Sequence, residues 1–234
     1  MSTDIAKRNA AEAALALVQP DMILGLGTGS TAAIFVTLLG DRVKAGLNIV
    51  GTPTSEATDK LARQVGIRIV SPDELSRIDL TIDGADEFDP ALNLIKGGGA
   101  ALLREKIIAE ASDRMVVIAD AAKEVPTLGR FPLPVEVNPF ASELTRRRIH
   151  ARLETAGLGA APSSWRMATR ESLLHTDGGH LILDIACGSI PDPVQLAALL
   201  DDVPGVVEHG LFISYASEVI VGEAGGVRRV LPAR

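Results

Sequence analysis

MILGLGTGSTAAIFVTLL, residues 22–39, is an uncharged run that reads in three pieces and decides the fold. Residues 22–26 are a short apolar segment of the kind that suits a buried strand. Residues 25–31, GLGTGST, form a turn rich in glycine and hydroxyls. Residues 30–39 then read as a helix, with Gly40 as its stop. An uncharged run this long is also the usual alarm for a membrane span. Its polar, glycine-rich centre argues instead for strand, tight turn and helix.

The same alternation extends outward on both sides. Residues 3–18 are alanine-rich and predict a helix ending before Pro20. Downstream, the pattern predicts strands at 47–51, 67–70, 78–82 and 115–119, with helices at 56–64 and 100–111. Strands separated by helices imply right-handed βαβ units and a mostly parallel sheet. The pattern changes near residue 131, where FPLPVEV carries two close prolines and marks an extended entry. A helix over 142–157, a turn at Gly178 and Gly179, a strand at 180–185 and a helix at 193–200 predict a small α+β domain. The apolar runs 211–213 and 219–221 are expected to return to the first sheet. The division is therefore 1–130 with 207–234 as one domain and 131–206 as the other.

Composition narrows the class. The 234 residues are 47% apolar and 23% charged, the range of an ordinary globular protein. Cys187 is the only cysteine, which excludes an intramolecular disulfide. With charges rather than an apolar run at the N-terminus, this predicts a reducing, cytoplasmic setting and no membrane partner. A net charge of −7 argues against nucleic acid as a partner. It leaves room for a phosphate, which a few lysines and helix N-termini can hold on an acidic protein.

Four places carry candidate chemistry. In the 25–31 turn, Thr28, Gly29, Ser30 and Thr31 combine an approachable backbone, hydroxyls and a helix N-terminus, which suits an anion. Ser30 stands where a dinucleotide fingerprint needs glycine, and no Gly-Lys-Ser/Thr ending follows. A plain βα turn is the competing reading. DGADEFD, residues 83–89, follows a strand, so Asp83 and Asp86 can converge on sugar hydroxyls. It lacks the spacing of an EF-hand, and a solvated acidic turn is its plain alternative. Lys96 precedes Gly97, Gly98 and Gly99, and Glu105 sits about two turns into the next helix. A helical glutamate is ordinarily at the surface. Lys96 and the glycine run are adjacent and the helix faces the same sheet end; a carboxylate partly shielded there by the packed helix would rise toward neutrality, as a general base needs. Lys123 lies at another strand end, and Lys7 is a further, weaker candidate. The histidines at 150, 175, 180 and 209 show no metal-ligand spacing, which predicts no zinc site.

Taken together and in order, GLGTGSTA, TIDGADEFD, IKGGGAALLREKI and GRFPLPVEV resemble the ribose-5-phosphate isomerase type A family, over nearly the whole chain. The resemblance implies an open, mostly parallel Rossmann-like α/β sheet with a smaller ferredoxin-like α+β domain. It implies interconversion of ribose 5-phosphate and ribulose 5-phosphate in the pentose phosphate pathway, with no metal or organic cofactor, by a homodimer or homotetramer. It makes Glu105 the catalytic base. It places substrate contacts on residues 28–31, on Asp83, Gly84, Ala85 and Asp86, on residues 96–99 and on Lys123. Two segments depart from the family pattern: the Asp-Gly-Gly-His turn at 177–180 and Glu218, both expected to lie far from the chemistry. The expected mechanism passes through an enediolate, with Lys96 facing its charge and Asp83 or Asp86 opening the furanose ring. Two rival readings are a sugar-phosphate sensor, which lacks a DNA-binding module here, and an acyl-CoA transferase-like enzyme, which leaves Lys96 and DGAD without a purpose.

Overall fold

In the computed structural model, which describes residues 2–232, the chain alternates helix and strand through its first half. The elements begin α1 (Ser2–Leu15), β1 (Ile23–Leu26), α2 (Ser30–Lys44), β2 (Val50–Pro53), α3 (Glu56–Gln64), β3 (Leu80–Asp83), β4 (Glu87–Phe88) and β5 (Leu94–Ile95). They continue with α4 (Leu102–Glu110), β6 (Met115–Asp120), β7 (Leu133–Val137), α5 (Ser142–Thr155), β8 (Ser163–Trp165) and β9 (Leu181–Ile185). The last are α6 (Pro193–Asp201), β10 (Val206–His209), β11 (Leu211–Phe212), β12 (Ala216–Glu223) and β13 (Gly226–Val230).

The central sheet has the order β13-β12-β6-β3-β1-β2 and is parallel except for β13, which runs against β12. From β1 the chain goes to β2 on one side and then to β3 on the other, so the order reverses at β1. Open parallel sheets bind ligands at such a reversal, outside the C-terminal strand ends. Those ends are Leu26 and Asp83, the roots of the 27–29 turn and the 84–86 loop.

Both faces of the inner strands are covered, which is why β1 and most of β6 are apolar. Val116 and Ile118 of β6 pack with Phe35, Leu39 and the alanines of α1. Met115, Val117 and Ala119 turn to the other face and meet Phe88 and Phe212. That alternation is the two-residue period of a strand. Phe35, Phe88 and Phe212 are fully buried; truncating such a side chain to alanine costs about 3–5 kcal/mol.

The second sheet is antiparallel, in the order β10-β7-β9-β8, and its chain path β7-α5-β8-β9-α6-β10 is the ferredoxin-like βαββαβ arrangement. It has its own core, including Leu133, Ile149, Leu183 and Leu200. A third, small ribbon joins β11, β5 and β4. The β4–β5 hairpin is closed by Asp89, whose carboxylate accepts from the N–H of Ala91 and from the N–H and Nδ2 of Asn93, each at 2.9 Å. This turn brings Lys96 back beside Asp83.

Several sequence expectations change. Gly40 does not stop α2, which runs on to Lys44. It is there for closeness: a Cβ on it would fall 2.5 Å from the Cβ of Val65. Residues 67–70 make only a single bridge, Gly51 to Ile69, rather than a strand. The predicted strand at 47–51 shifts to Val50–Pro53. Residues 211 and 212 join the small ribbon, not the central sheet, whereas 219–221 do enter it as part of β12. Among the described residues no helix is long and apolar enough to cross a membrane, and 22–39 divides into β1, turn and α2.

Candidate active site

Asp83 closes β3 with no exposed surface. Its Oδ1 accepts from the N–H of Thr28 at 3.1 Å and of Gly84 at 2.7 Å. Gly27 permits this approach, since a Cβ there would lie 2.2 Å from that oxygen. Lys96, leaving β5, is 2% exposed and donates to the Gly84 carbonyl at 2.5 Å. Its ammonium lies 3.0 Å from Asp83 Oδ2 and 3.4 Å from Glu105 Oε2. The ring of Phe212 stands 5.6 Å away, closing the site on that side.

Glu105 is in the first turn of α4, not two turns in, because α4 begins at Leu102. It is only 3% exposed, so it is no surface glutamate. Burial, only partly offset by Lys96 and reinforced by the negative charges of Asp83 and Asp86, pushes its carboxyl up to about 8. Burial likewise raises Asp83, against the pull of Lys96. For Lys96, burial favours the neutral amine, but the charges of Asp83, Glu105 and Asp86 outweigh it and hold the amine above its usual range. Three carboxyl groups thus share one ammonium, and Glu105 retains a proton near neutrality. This is the environment of a strong base.

Every residue selected from the sequence lines one cleft of about 130 Å³, except Asp83, which lies behind Lys96. Lys7 Nζ donates to Ser30 Oγ at 2.9 Å, at the N-terminus of α2. Lys123 lines the same cleft, its ammonium 6.0 Å from the Phe131 ring. Asp86 keeps part of its surface and accepts at Oδ2 from the N–H of Gly98, 2.7 Å away. Thr28 differs from expectation, since its hydroxyl turns to Thr54 (2.8 Å), Ser55 (2.8 Å) and Thr58 (3.2 Å). It offers the cleft its methyl and backbone instead.

Some residues at the site were not selected from the sequence. Thr54, Ser55 and Thr58 follow β2 at the same sheet end, and the run TPTS was the available signal. Phe212 and Arg166 gave no local signal. The 177–180 turn is nearer the chemistry than expected: Asp177 accepts from the N–H of Glu56 at 2.9 Å and from Arg104, the neighbour of Glu105, at 3.2 Å. Glu218 lies elsewhere, buried against Arg114.

Other features do not compete. A wider groove of about 810 Å³ runs along α3 and the 68–74 loop, with no buried ionisable group. Asp201, Glu208 and His209 bring ligand-type atoms within 4.8 Å of one another. Lys106 Nζ already sits 2.5 Å from Glu208 there, so the group reads as an ion-pair network. Burial pushes the Cys187 thiol up to about 11, far from a reactive thiolate.

A family profile, a curated relative and solved structures of 38–40% identity share one family. The profile described as ribose 5-phosphate isomerase A (phosphoriboisomerase A) matches residues 50–226. A protein of Bradyrhizobium diazoefficiens named ribose-5-phosphate isomerase A is 54% identical, over 97% of this chain and 96% of its own length. The solved ribose 5-phosphate isomerase A of Methanocaldococcus jannaschii superposes with a TM-score of 0.89 at 38% identity, covering 97% of this chain and 99% of that one. A D-ribose-5-phosphate isomerase solved with phospho-erythronic acid gives 0.90 at 40% identity, covering 99% and 100%.

Proposed function

The chain belongs to the ribose 5-phosphate isomerase A family and interconverts D-ribose 5-phosphate and D-ribulose 5-phosphate, and we propose that Glu105 is the base that carries the proton. One observation carries this assignment: a buried carboxyl held up to about 8, at 3.4 Å from a buried ammonium, at the wall of the cleft.

The open-chain aldose must lose its C2 proton and gain one at C1. Glu105, ionised, takes the C2 proton and returns it to C1 on the same face. Meanwhile the hydroxyl proton of O2 passes to O1. The charge that grows on the enediolate oxygen is met by Lys96, already in place and shielded from water. Lys96 is thus the positive group that the chemistry requires, and no metal or organic cofactor enters the proposal.

The two aspartates divide their work. Asp83 is fully buried with both oxygens engaged, so it acts as the fixed counter-charge of Lys96. Asp86 reaches the cleft with Oδ1 uncommitted, so it moves protons between sugar oxygens during ring opening. The phosphate is assigned to the N–H groups at the start of α2, with Ser30, Thr31, Lys7 and Lys123 around it. Phospho-erythronic acid, the ligand of the solved relative, pairs a phosphate with a planar anion, the two features an enediolate intermediate presents.

The further proposals are a homodimer or homotetramer acting in the cytoplasm, and a chain of two domains, 1–130 with its C-terminal return and the small domain from 131; the return, expected from 207, starts after β10 (Val206–His209), because that strand pairs with β7 in the second sheet. The direct test of activity is to mix the pure protein with ribose 5-phosphate and follow ketopentose. Absence of ketopentose would overturn the function. EDTA is expected to leave turnover unchanged, and its loss would show a required metal.

A further inference from the structure

Arg166 comes directly after β8, in the second sheet, and none of the cleft motifs points to it. Asp184 on β9 holds its guanidinium from one side: Nε donates to Oδ2 at 2.9 Å and Nη2 to Oδ1 at 2.5 Å. This is the two-pronged pairing that arginine makes and lysine cannot. On the other side Nη1 donates to two successive carbonyls, Gly97 at 2.7 Å and Gly98 at 3.1 Å. The paired side chains are mostly shielded, 15% and 21% exposed, so the contacts are not loose surface ones.

The consequence follows from peptide geometry. The described chain has no cis peptide, and a trans unit points its C=O and N–H in opposite directions. With the Gly97 carbonyl turned to Arg166, the Gly98 N–H faces away and meets Asp86 Oδ2 at 2.7 Å. With the Gly98 carbonyl turned the same way, the Gly99 N–H faces the cleft, and no described group accepts it. A run of three glycines has no side chains to hold it, and fixing such a backbone costs conformational entropy. The Ala100 N–H also donates to the Gly97 carbonyl at 3.0 Å within the turn, and Arg166 adds the side-chain restraint that reaches both carbonyls.

We propose that Arg166, braced by Asp184, is a positioning residue of the isomerase: it sets the 97–99 backbone so that Asp86 and the Gly99 N–H are presented to the sugar oxygens. The proposal rests on the cleft being the sugar-phosphate site. A donor already aimed at a developing charge needs no reorganisation during reaction, so the loss of aim appears in kcat more than in binding.

The test compares Arg166→Met, Arg166→Lys and the parent, as full-length protein, for kcat, KM and Tm with ribose 5-phosphate. Arg166→Met is expected to lower kcat about a hundredfold, with KM within about threefold. Arg166→Lys, able to reach the carbonyls without the fork, should recover part of that loss. Should the methionine variant fail to fold, Asp184→Asn is read in its place, with the same kcat loss expected. An Arg166→Met enzyme with a lower Tm but kcat per folded molecule within about twofold of the parent overturns the proposal and leaves the function standing. A parent without turnover overturns both.

Discussion

The Lys96 ammonium lies 3.4 Å from the carboxylate of Glu105, and both side chains are almost closed to solvent. The pair is not a simple salt bridge, because Asp83 stands 3.0 Å from the same ammonium and has the stronger claim on it. Burial holds the Glu105 carboxyl up to about 8 and raises Asp83 as well.

Activity should follow the ionisation of Glu105. Only ionised Glu105 can accept the C2 proton, and its carboxyl is held up to about 8. The free enzyme's ionisation governs kcat/KM. Its pH profile is thus expected to rise through neutrality with its midpoint near that value. A profile flat from pH 6 to pH 9 would contradict the assignment.

Folding stability should run the other way. Glu105 titrates near 4.5 when unfolded and about 8 when folded, so in that window the folded state holds an extra proton. Its contribution is complete below pH 4.5 and is lost as pH rises through 8. The raised Asp83 acts with the same sign, and Lys96, raised above 10.5, is protonated in both states here. Urea midpoints of the parent should fall between pH 5 and pH 8, and those of Glu105→Gln should fall less. Equal slopes for the two proteins would contradict the raised carboxyl.

Removing the ammonium should destabilise as well as inactivate. Lys96→Met leaves Asp83 and Glu105 buried with no positive partner. Stripping one side from a buried pair costs about 3–5 kcal/mol. Urea unfolding should register that loss, and turnover should be lost with it. A variant as stable as the parent would mean that Asp83 and Glu105 are already neutral.

Lys7 should matter for binding rather than chemistry. It is held at the start of α2 by Ser30 Oγ, at an exposed edge of the cleft. Lys7→Ala is expected to raise KM about tenfold, the low end for one charged contact, and to leave kcat nearly unchanged. The effect should shrink in high salt. A fall in kcat without a change in KM would move Lys7 away from the phosphate.

GTGST and DGAD were legible because β1 and β3, neighbouring parallel strands, deliver them to one edge. KGGG was legible as a motif, but it leaves β5 of the small antiparallel ribbon, so its meeting with the other two does not follow from the βαβ pattern. The burial of Glu105 was not legible on its own helix. It depends on the β4–β5 hairpin, which Asp89 closes and which returns Lys96 to Asp83. Arg166 was out of reach for the same reason, since 69 residues separate it from Gly97 and packing of the second sheet brings them together. Gly40 misled because a local stop signal was in fact a packing requirement against Val65.

The most direct measurement is turnover of ribose 5-phosphate by Glu105→Gln. Glutamine keeps the shape and the cleft but cannot accept a proton. Turnover should fall by a factor on the order of a hundred to ten thousand, with substrate binding retained. Turnover near that of the parent would remove Glu105 as the base.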